Sequence, residues 1–441
     1  MIKFILMLLI INLILVKNRS IIIMFNYNIL YIRRFIIIFI YMYKDRLWVN
    51  LSLGLGLDYY SIILVILRFW IIALIYKCLD GVNIIKSMIF ISLLILLIIF
   101  FTSIDLLVFY LIFEIRLIPT FFLIIYWGSN PERLIAAFYI IIYMLLISFP
   151  LLLYIFKFYL YRWTFKFSLI RIYIIDYNFG IWEFVIINIA FFIKMPIYIL
   201  HIWLPKAHVE APVYGSIILA GVLLKIGRYG LIRFIELLVC RINYNYLIFS
   251  VSIIGRVIIG INCLVQIDIK RLVAYSSVVH INLILCSLLT LFKMGFISRY
   301  IIIISHGLCS SGLFYMVNIY YSRSIRRLLV LNKGIISKLP GLSIWWFLFC
   351  SANFSFPFSL NFFSELIILS LILNWDYILI FYLVIICFFR RAYSLYLFSY
   401  VQHGRSYREN NFSRGLIKEY IVLINHFFPL IVYLLNLVIF V

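Results

Sequence analysis

Acidic residues are scarce in this chain: 15 Asp and Glu stand among 441 residues, and charged residues of both signs make up only 12%. So little charge excludes an ordinary soluble globular domain. Cysteine is also sparse. The seven (Cys78, Cys240, Cys263, Cys286, Cys309, Cys350 and Cys387) show no C-x-x-C pair and no ligand-like spacing, which argues against zinc, iron-sulfur and haem sites and reads as small buried apolar residues. Glycine (18), proline (9) and methionine (9) are few, while isoleucine, leucine, phenylalanine, tyrosine and asparagine crowd the sequence. The abundant group has AT-rich codons, with an organelle genome as the implied source.

What is there is apolar: 67% hydrophobic residues and a mean hydropathy of +1.18. Runs of about 17 to 25 apolar residues, enough to cross roughly 30 Å of hydrocarbon as a helix, recur along the whole chain. They predict an all-α polytopic membrane protein with about fourteen spans, over 1–16, 21–42, 58–78, 84–103, 105–126, 134–158, 182–203, 213–235, 244–266, 271–292, 300–321, 340–375, 376–400 and 420–441. The first run has no small-residue cleavage site after it and reads as a span, not a leader. The longest polar stretches, around Arg323 to Lys338 and Gln402 to Lys418, are too short to bury a core.

An ionisable group in hydrocarbon costs about 2.5 kcal/mol or more, so each one inside a span is a functional candidate. Glu114 lies nine residues past Asp105, about 13 Å along a helix and near mid-membrane. Lys194 is similarly deep, two residues before Pro196; Lys225 lies about 20 Å beyond Pro212. His280 and His306 fall in the tenth and eleventh spans, and Glu365 follows Pro357 by eight residues. Any one could be a structural ion pair, but six together can pass protons where burial and neighbouring charge draw their affinities toward neutrality.

Proline beside a buried charge marks a broken helix, whose unpaired backbone groups and dipole ends form ion sites at mid-membrane. Lys194 with Pro196, and Pro357 with Glu365, occupy corresponding places in two halves, the pattern of an internally repeated transporter. Elsewhere, "WLPKAHVEAPVYGS" reads as a surface turn: His208 and Glu210 are too few for a metal, and Pro205 argues against a regular helix through them. Asn130 is a candidate N-cap with Pro131 at N1 and Glu132 near the dipole, and Asp268, Lys270 and Arg271 read as interfacial anchors.

Four stretches then carry a resemblance: "KMPIYILHIWLPKAHVEAPVYGSIILAGVLLKIGRYGLIR", "FEIRLIPTFFLIIYWGSNPERLIAAFY", "DIKRLVAYSSVVHIN" and "SHGLCSSGLFYMVNIYYSRS". They are similar to the chain 4 family of mitochondrial NADH:ubiquinone oxidoreductase, respiratory complex I, in its insect form. It is one of the antiporter-like groups of the membrane arm. The resemblance implies fourteen helices, two inverted five-helix repeats (84–235 and 244–400) and discontinuous helices seven and twelve. It further implies a pairing of Glu114 with Lys194, a central Lys225, linking His280 and His306, and an exit carboxylate at Glu365, together translocating protons. Redox-driven charge movement elsewhere in the complex would perturb the first pair, and the disturbance would pass through Lys225 toward Glu365. NADH, FMN, iron-sulfur clusters and ubiquinone would be bound by other subunits, with no cofactor and no metal on this chain. The implied setting is the mitochondrial inner membrane, in contact with lipids and with the antiporter-like chains 2 and 5. An Mrp-type sodium/proton antiporter subunit and a purely structural membrane subunit are the competing readings.

The departures from the family pattern are arginines. Arg68, Arg116, Arg228, Arg256, Arg299, Arg390 and Arg391 interrupt apolar or helix-end segments where the family usually carries serine or another small residue, at about 2.5 to 3.5 kcal/mol for each buried one. Invertebrate mitochondria read AGA and AGG as serine and AUA as methionine, so a gene read with another code would show surplus arginine and depleted methionine; the alternative is arginines that snorkel or pair. The formal charge of +23 is accordingly not evidence for a nucleic-acid partner.

Overall fold

The computed structural model describes residues 49–52, 54–79, 84–128, 130–173, 180–238, 245–324, 326–405 and 414–440; the spans expected over 1–16 and 21–42, and Cys240, lie outside them. Ten helices among the described residues are long and apolar enough to cross a membrane. A hairpin of β1 (Val49–Ser52) and β2 (Leu55–Leu57) precedes them, turning at Gly54 with φ of 75°. The described residues fall into two compact units.

The first unit, its described residues through Ala190 plus 233–238, carries α1 (Tyr59–Cys78), α2 (Ile84–Thr102), α3 (Leu106–Ile115), α4 (Leu117–Trp127), α5 (Arg133–Arg162), α6 (Phe167–Tyr173) and most of α7 (Ile181–Lys194). Asp58 caps α1, its carboxylate accepting from the Ser61 N–H at 3.1 Å while the Ser61 hydroxyl accepts from the Asp58 N–H at 3.0 Å. Its carboxylate also pairs with Arg233. The span expected over 105–126 is divided at Arg116, because Pro119 has no N–H to return to Ile115. The expected cap at Asn130 is corrected: α5 begins at Arg133, and it is the Asn130 backbone carbonyl that accepts, from the Arg133 N–H at 3.2 Å.

The second unit holds the end of α7, then α8 (Trp203–Glu210), α9 (Val213–Ile218), a wide π turn (Leu219–Leu223), α10 (Leu224–Leu238) as far as Ile232, α11 (Asn245–Val265), α12 (Ile269–Leu289) and α13 (Lys293–Ser324). It continues through α14 (Ile335–Lys338), α15 (Pro340–Asn353), α16 (Leu360–Trp375), α17 (Ile380–Gln402) and α18 (Ile417–Leu435). Apolarity does not sort these helices, but coverage does: 94% of the apolar stretch of α12 and 100% of that of α13 is buried, against 28% for the α17 span and 33% for α18. Polar residues on α12 and α13 therefore face protein. Their serines donate back along the helix, as Ser276 does to Val273 O at 2.8 Å and Ser277 to Ala274 O at 2.6 Å.

Candidate functional site

The two breaks expected from proline are present. After Lys194 the α7 backbone loosens: Ile197 N–H reaches back five residues to Phe192 O at 3.2 Å, and Ile199 adopts φ of 82° before α8 begins at Trp203. The orphaned carbonyl of Ile193 is taken up by the Trp203 indole N–H at 3.0 Å. The 340–375 run likewise divides into α15 and α16, with Ser355 and Phe358 at φ of 60° and 73° between them. There Asn361 donates to Ala352 O at 2.8 Å, and Arg390 of α17 donates to Asn353 O at 3.1 Å and 2.6 Å from Nε and Nη2. Each break is thus closed by a side chain from a neighbouring segment.

Lys194 is buried at the end of α7. Gly227 of α10 lies directly against it: a Cβ there would meet Lys194 C and Met195 Cγ at 3.0 Å. Two residues earlier, Lys225 is 1% exposed and donates to Ala220 O. The π turn makes that carbonyl available, since the Leu224 N–H goes to Leu219 instead.

On α12 and α13 the two histidine rings lie 5.1 Å apart, both fully enclosed. His280 Nε2 bonds Asn353 Oδ1 at 3.1 Å, and its Nδ1 lies 3.5 Å from Glu365 Oε1. With an oxygen as partner, Nε2 carries the ring proton in the neutral form and Nδ1 turns a lone pair to the carboxylate. A single proton can then be held between His280 and Glu365. Arg390 pairs with the other oxygen of Glu365. His306, His280 and Glu365 therefore form one contiguous titratable row inside the second unit, beside the broken α15–α16 pair. Glu114, at the end of α3 before the Arg116 break, belongs to the first unit and is half-buried.

Two expectations about the loops are corrected. The stretch 203–210 is a helix, because Pro205 falls in its first turn, where no intrahelical N–H is required. His208 is not on a surface turn: it is fully buried and stacks on Phe314 at 4.4 Å with the rings 7° apart. Lys270 is also buried, donating to Ala211 O at 3.5 Å, while its neighbours Asp268 and Arg271 keep the expected edge position, paired at 3.1 Å. The available signal for Lys270 is its i, i+4, i+7 stripe with Ala274 and Ser277, both buried. No group of three or more metal-ligating residues occurs among the described residues.

Six of the seven unexpected arginines (Arg68, Arg116, Arg228, Arg256, Arg299 and Arg390) are buried; Arg391 is exposed. Arg68 donates to Leu97 O at 2.7 Å over the Phe101 ring, and Arg116 to Phe113 O at 2.9 Å. Arg228 has no acceptor among the described residues for any of its three nitrogens.

Residues 103–389 match the family described as NADH:quinone oxidoreductase/Mrp antiporter, TM. The chain is 42% identical over 412 residues to NADH-ubiquinone oxidoreductase chain 4 of Ceratitis capitata, covering 92% of each, and 46% identical over 326 residues to that of Aedes aegypti, covering 73% and 72%. The chain belongs to the NADH-ubiquinone oxidoreductase chain 4 family. As a member of the chain 4 family it is a multi-pass subunit of a membrane oxidoreductase complex, and its activity is that of the assembly. The fold agrees: a chain of respiratory complex I from Thermus thermophilus superposes with a TM-score of 0.86 at 19% identity, covering 97% of this chain and 94% of that one. A chain of the Mrp complex from Dietzia sp. gives 0.81 at 15%, covering 91% and 79%. The matched family spans both groups, but it is the chain 4 relatives that share 42% and 46% of their residues with this chain, against 15% for the Mrp chain.

Proposed function

We propose that this chain 4 family member translocates protons in the membrane arm of complex I through Glu114, Lys194, Lys225, His280, His306 and Glu365, driven by electron transfer in other subunits. The observation that carries the reading is the enclosed row from His306 on α13 through His280 on α12, two helices almost wholly covered by protein, to Glu365 on α16 beside a helix break. Breaks put backbone dipoles and room for water where a proton must change partner. Lys225, held by the carbonyl that the π turn releases, is the central group; Lys194, packed against Gly227 of the same helix, is placed to shift the proton affinity of Lys225 through its own charge. Glu365 passes the proton outward after His280 delivers it.

The chain is read as two antiporter-like repeats over 84–235 and 244–400, lying in the mitochondrial inner membrane beside the antiporter-like chains 2 and 5. It binds neither NADH, FMN, iron-sulfur cluster nor ubiquinone in this scheme. Replacing the lysine equivalent to Lys225 by methionine in a bacterial relative, with the complex reconstituted in liposomes, tests it: proton pumping falls while NADH oxidation with uncoupler persists. Unchanged pumping would leave a structural subunit as the reading.

A further inference from the structure

The interior holds a charge that the fold does not accommodate. Arg228 is 0% exposed, makes no ion pair among the described residues, and finds no acceptor for Nε, Nη1 or Nη2. It follows Lys225 by three positions on α10, so two basic side chains rise from one helix face, their Cβ atoms about 5–6 Å apart. Nη1 of Arg116 and Nε of Arg256, both buried, also lack acceptors. A buried, unpaired guanidinium is among the most expensive groups a fold can contain.

Arginines toward the ends of spans are differently placed from Arg228. Arg233 meets Asp58, Arg323 meets Glu419 at 2.6 Å, and Arg327 meets Glu210 at 3.5 Å. These three stand at ends of spans or in the connections beyond them. The six buried arginines stand within spans, or at an internal break in the case of Arg116; of these, Arg390 meets a carboxylate, that of Glu365.

We infer that Arg68, Arg116, Arg228, Arg256, Arg299 and Arg390 are positions where the working protein carries serine, their codons being AGA or AGG in a gene whose own ribosomes read those triplets as serine. The inference rests on the mitochondrial setting proposed above. Its physical content is that a hydroxyl fits where a guanidinium does not. Serines within spans here donate to the carbonyl three residues back, as Ser252 does to Phe249 O at 2.7 Å and Ser305 to Ile302 O at 3.3 Å. A serine at 228 has Lys225 O in the same relation. Exchanging a guanidinium for a hydroxyl also vacates side-chain volume one turn from Lys225, and a buried water needs such room and polar partners. At 390 the exchange has a second consequence: the guanidinium paired with one oxygen of Glu365 gives way to a neutral hydroxyl, leaving His280 as the titratable neighbour of the carboxylate. The same misreading turns AUA methionines into isoleucine, which matches nine methionines in an isoleucine-rich chain.

The test is the mass of peptides from the complex purified from its native membranes, cut with chymotrypsin so that positions 228 and 233 are both covered. Serine is expected at 228 and at the other five positions, with arginine retained at 233, 323 and 327. Arginine at 228, or CGN codons there in an organelle gene, overturns the inference while leaving the proton-path reading standing. A nuclear gene read by the standard code would likewise overturn the inference.

Discussion

His280 and Glu365 face each other at 3.5 Å across α12 and α16, and the far nitrogen of His280 is fixed by Asn353 at 3.1 Å. The imidazole is thereby held in one orientation, with its variable nitrogen directed at the carboxylate. A ring anchored in this way acts as a relay without rotating. Replacing His280 by alanine removes the link between His306 and Glu365. Positioned proton-transfer groups contribute on the order of 10²–10⁴ in rate, so pumping per NADH oxidised is expected to fall by at least roughly a hundredfold where no water substitutes. Dye-reported acidification in proteoliposomes measures this, and pumping within twofold of the parent would remove His280 from the path.

Asn353 is argued to act through His280, so its substitution should differ in kind from loss of the histidine. Asn353→Asp keeps the oxygen that His280 Nε2 meets and adds charge; Asn353→Leu removes the bond and leaves the ring free to turn. The leucine variant is expected to slow pumping and alter its pH profile, while the aspartate variant retains the ring's orientation. Identical profiles in the two variants would show that the contact is packing alone.

Helix breaks are legible in the sequence because proline writes them directly: Pro196 and Pro357 lack the donor that a continuous helix needs, and both breaks occur beside them. Glu365, His280 and His306 are legible because charge in an apolar run has few structural reasons to exist. The π turn at Leu219–Leu223 is not, since nothing in "LAGVL" distinguishes a five-residue hydrogen-bond step from a four-residue one. His208 escapes sequence reasoning for a related reason: loop-like composition around it gives polarity but not direction, and its ring stacks on Phe314 of α13, far away in sequence. Lys270 differs, since its stripe with Ala274 and Ser277 is there to be read and only its acceptor, the Ala211 carbonyl, is not.

Gly227 controls how closely α10 approaches the end of α7. Added at that position, a methyl group would meet the backbone of Lys194 and the Met195 side chain at 3.0 Å, and the backbone cannot yield as a flexible side chain would. Gly227→Ala is therefore expected to cost about 1–3 kcal/mol by overpacking and to separate Lys194 from α10. Lower thermal stability of the assembled complex, with a larger loss of pumping than of electron transfer, is the expected pair of readouts. A variant with unaltered stability would contradict this packing.

Trp203 closes the first break through one bond, from its indole N–H to Ile193 O at 3.0 Å. Phenylalanine preserves most of the apolar surface and deletes the donor. Leaving a buried carbonyl unsatisfied costs about 1–3 kcal/mol, so Trp203→Phe should lower stability by that amount and loosen the peptide that precedes Lys194. Hydrogen exchange at residues 194–200 is expected to accelerate in the variant. Equal exchange rates would mean that the carbonyl is satisfied by some other group.

Glu365→Gln separates two pictures of the exit. Where residue 390 is arginine, the substitution strands a buried guanidinium that had been paired with the carboxylate, and removing one member of a buried ion pair costs about 3–5 kcal/mol. The complex would then assemble poorly. Where residue 390 is serine, glutamine is nearly the shape of the glutamate, its amide can bond His280 and the hydroxyl, and assembly is expected to survive. What disappears in that case is exchange, because an amide neither accepts the proton from His280 nor releases one. In a bacterial complex carrying each of the two residues at the position equivalent to 390, the glutamine variant is expected to assemble with serine and fail with arginine, and to pump in neither. Pumping by the serine–glutamine form would remove Glu365 from the path, whatever stands beside it.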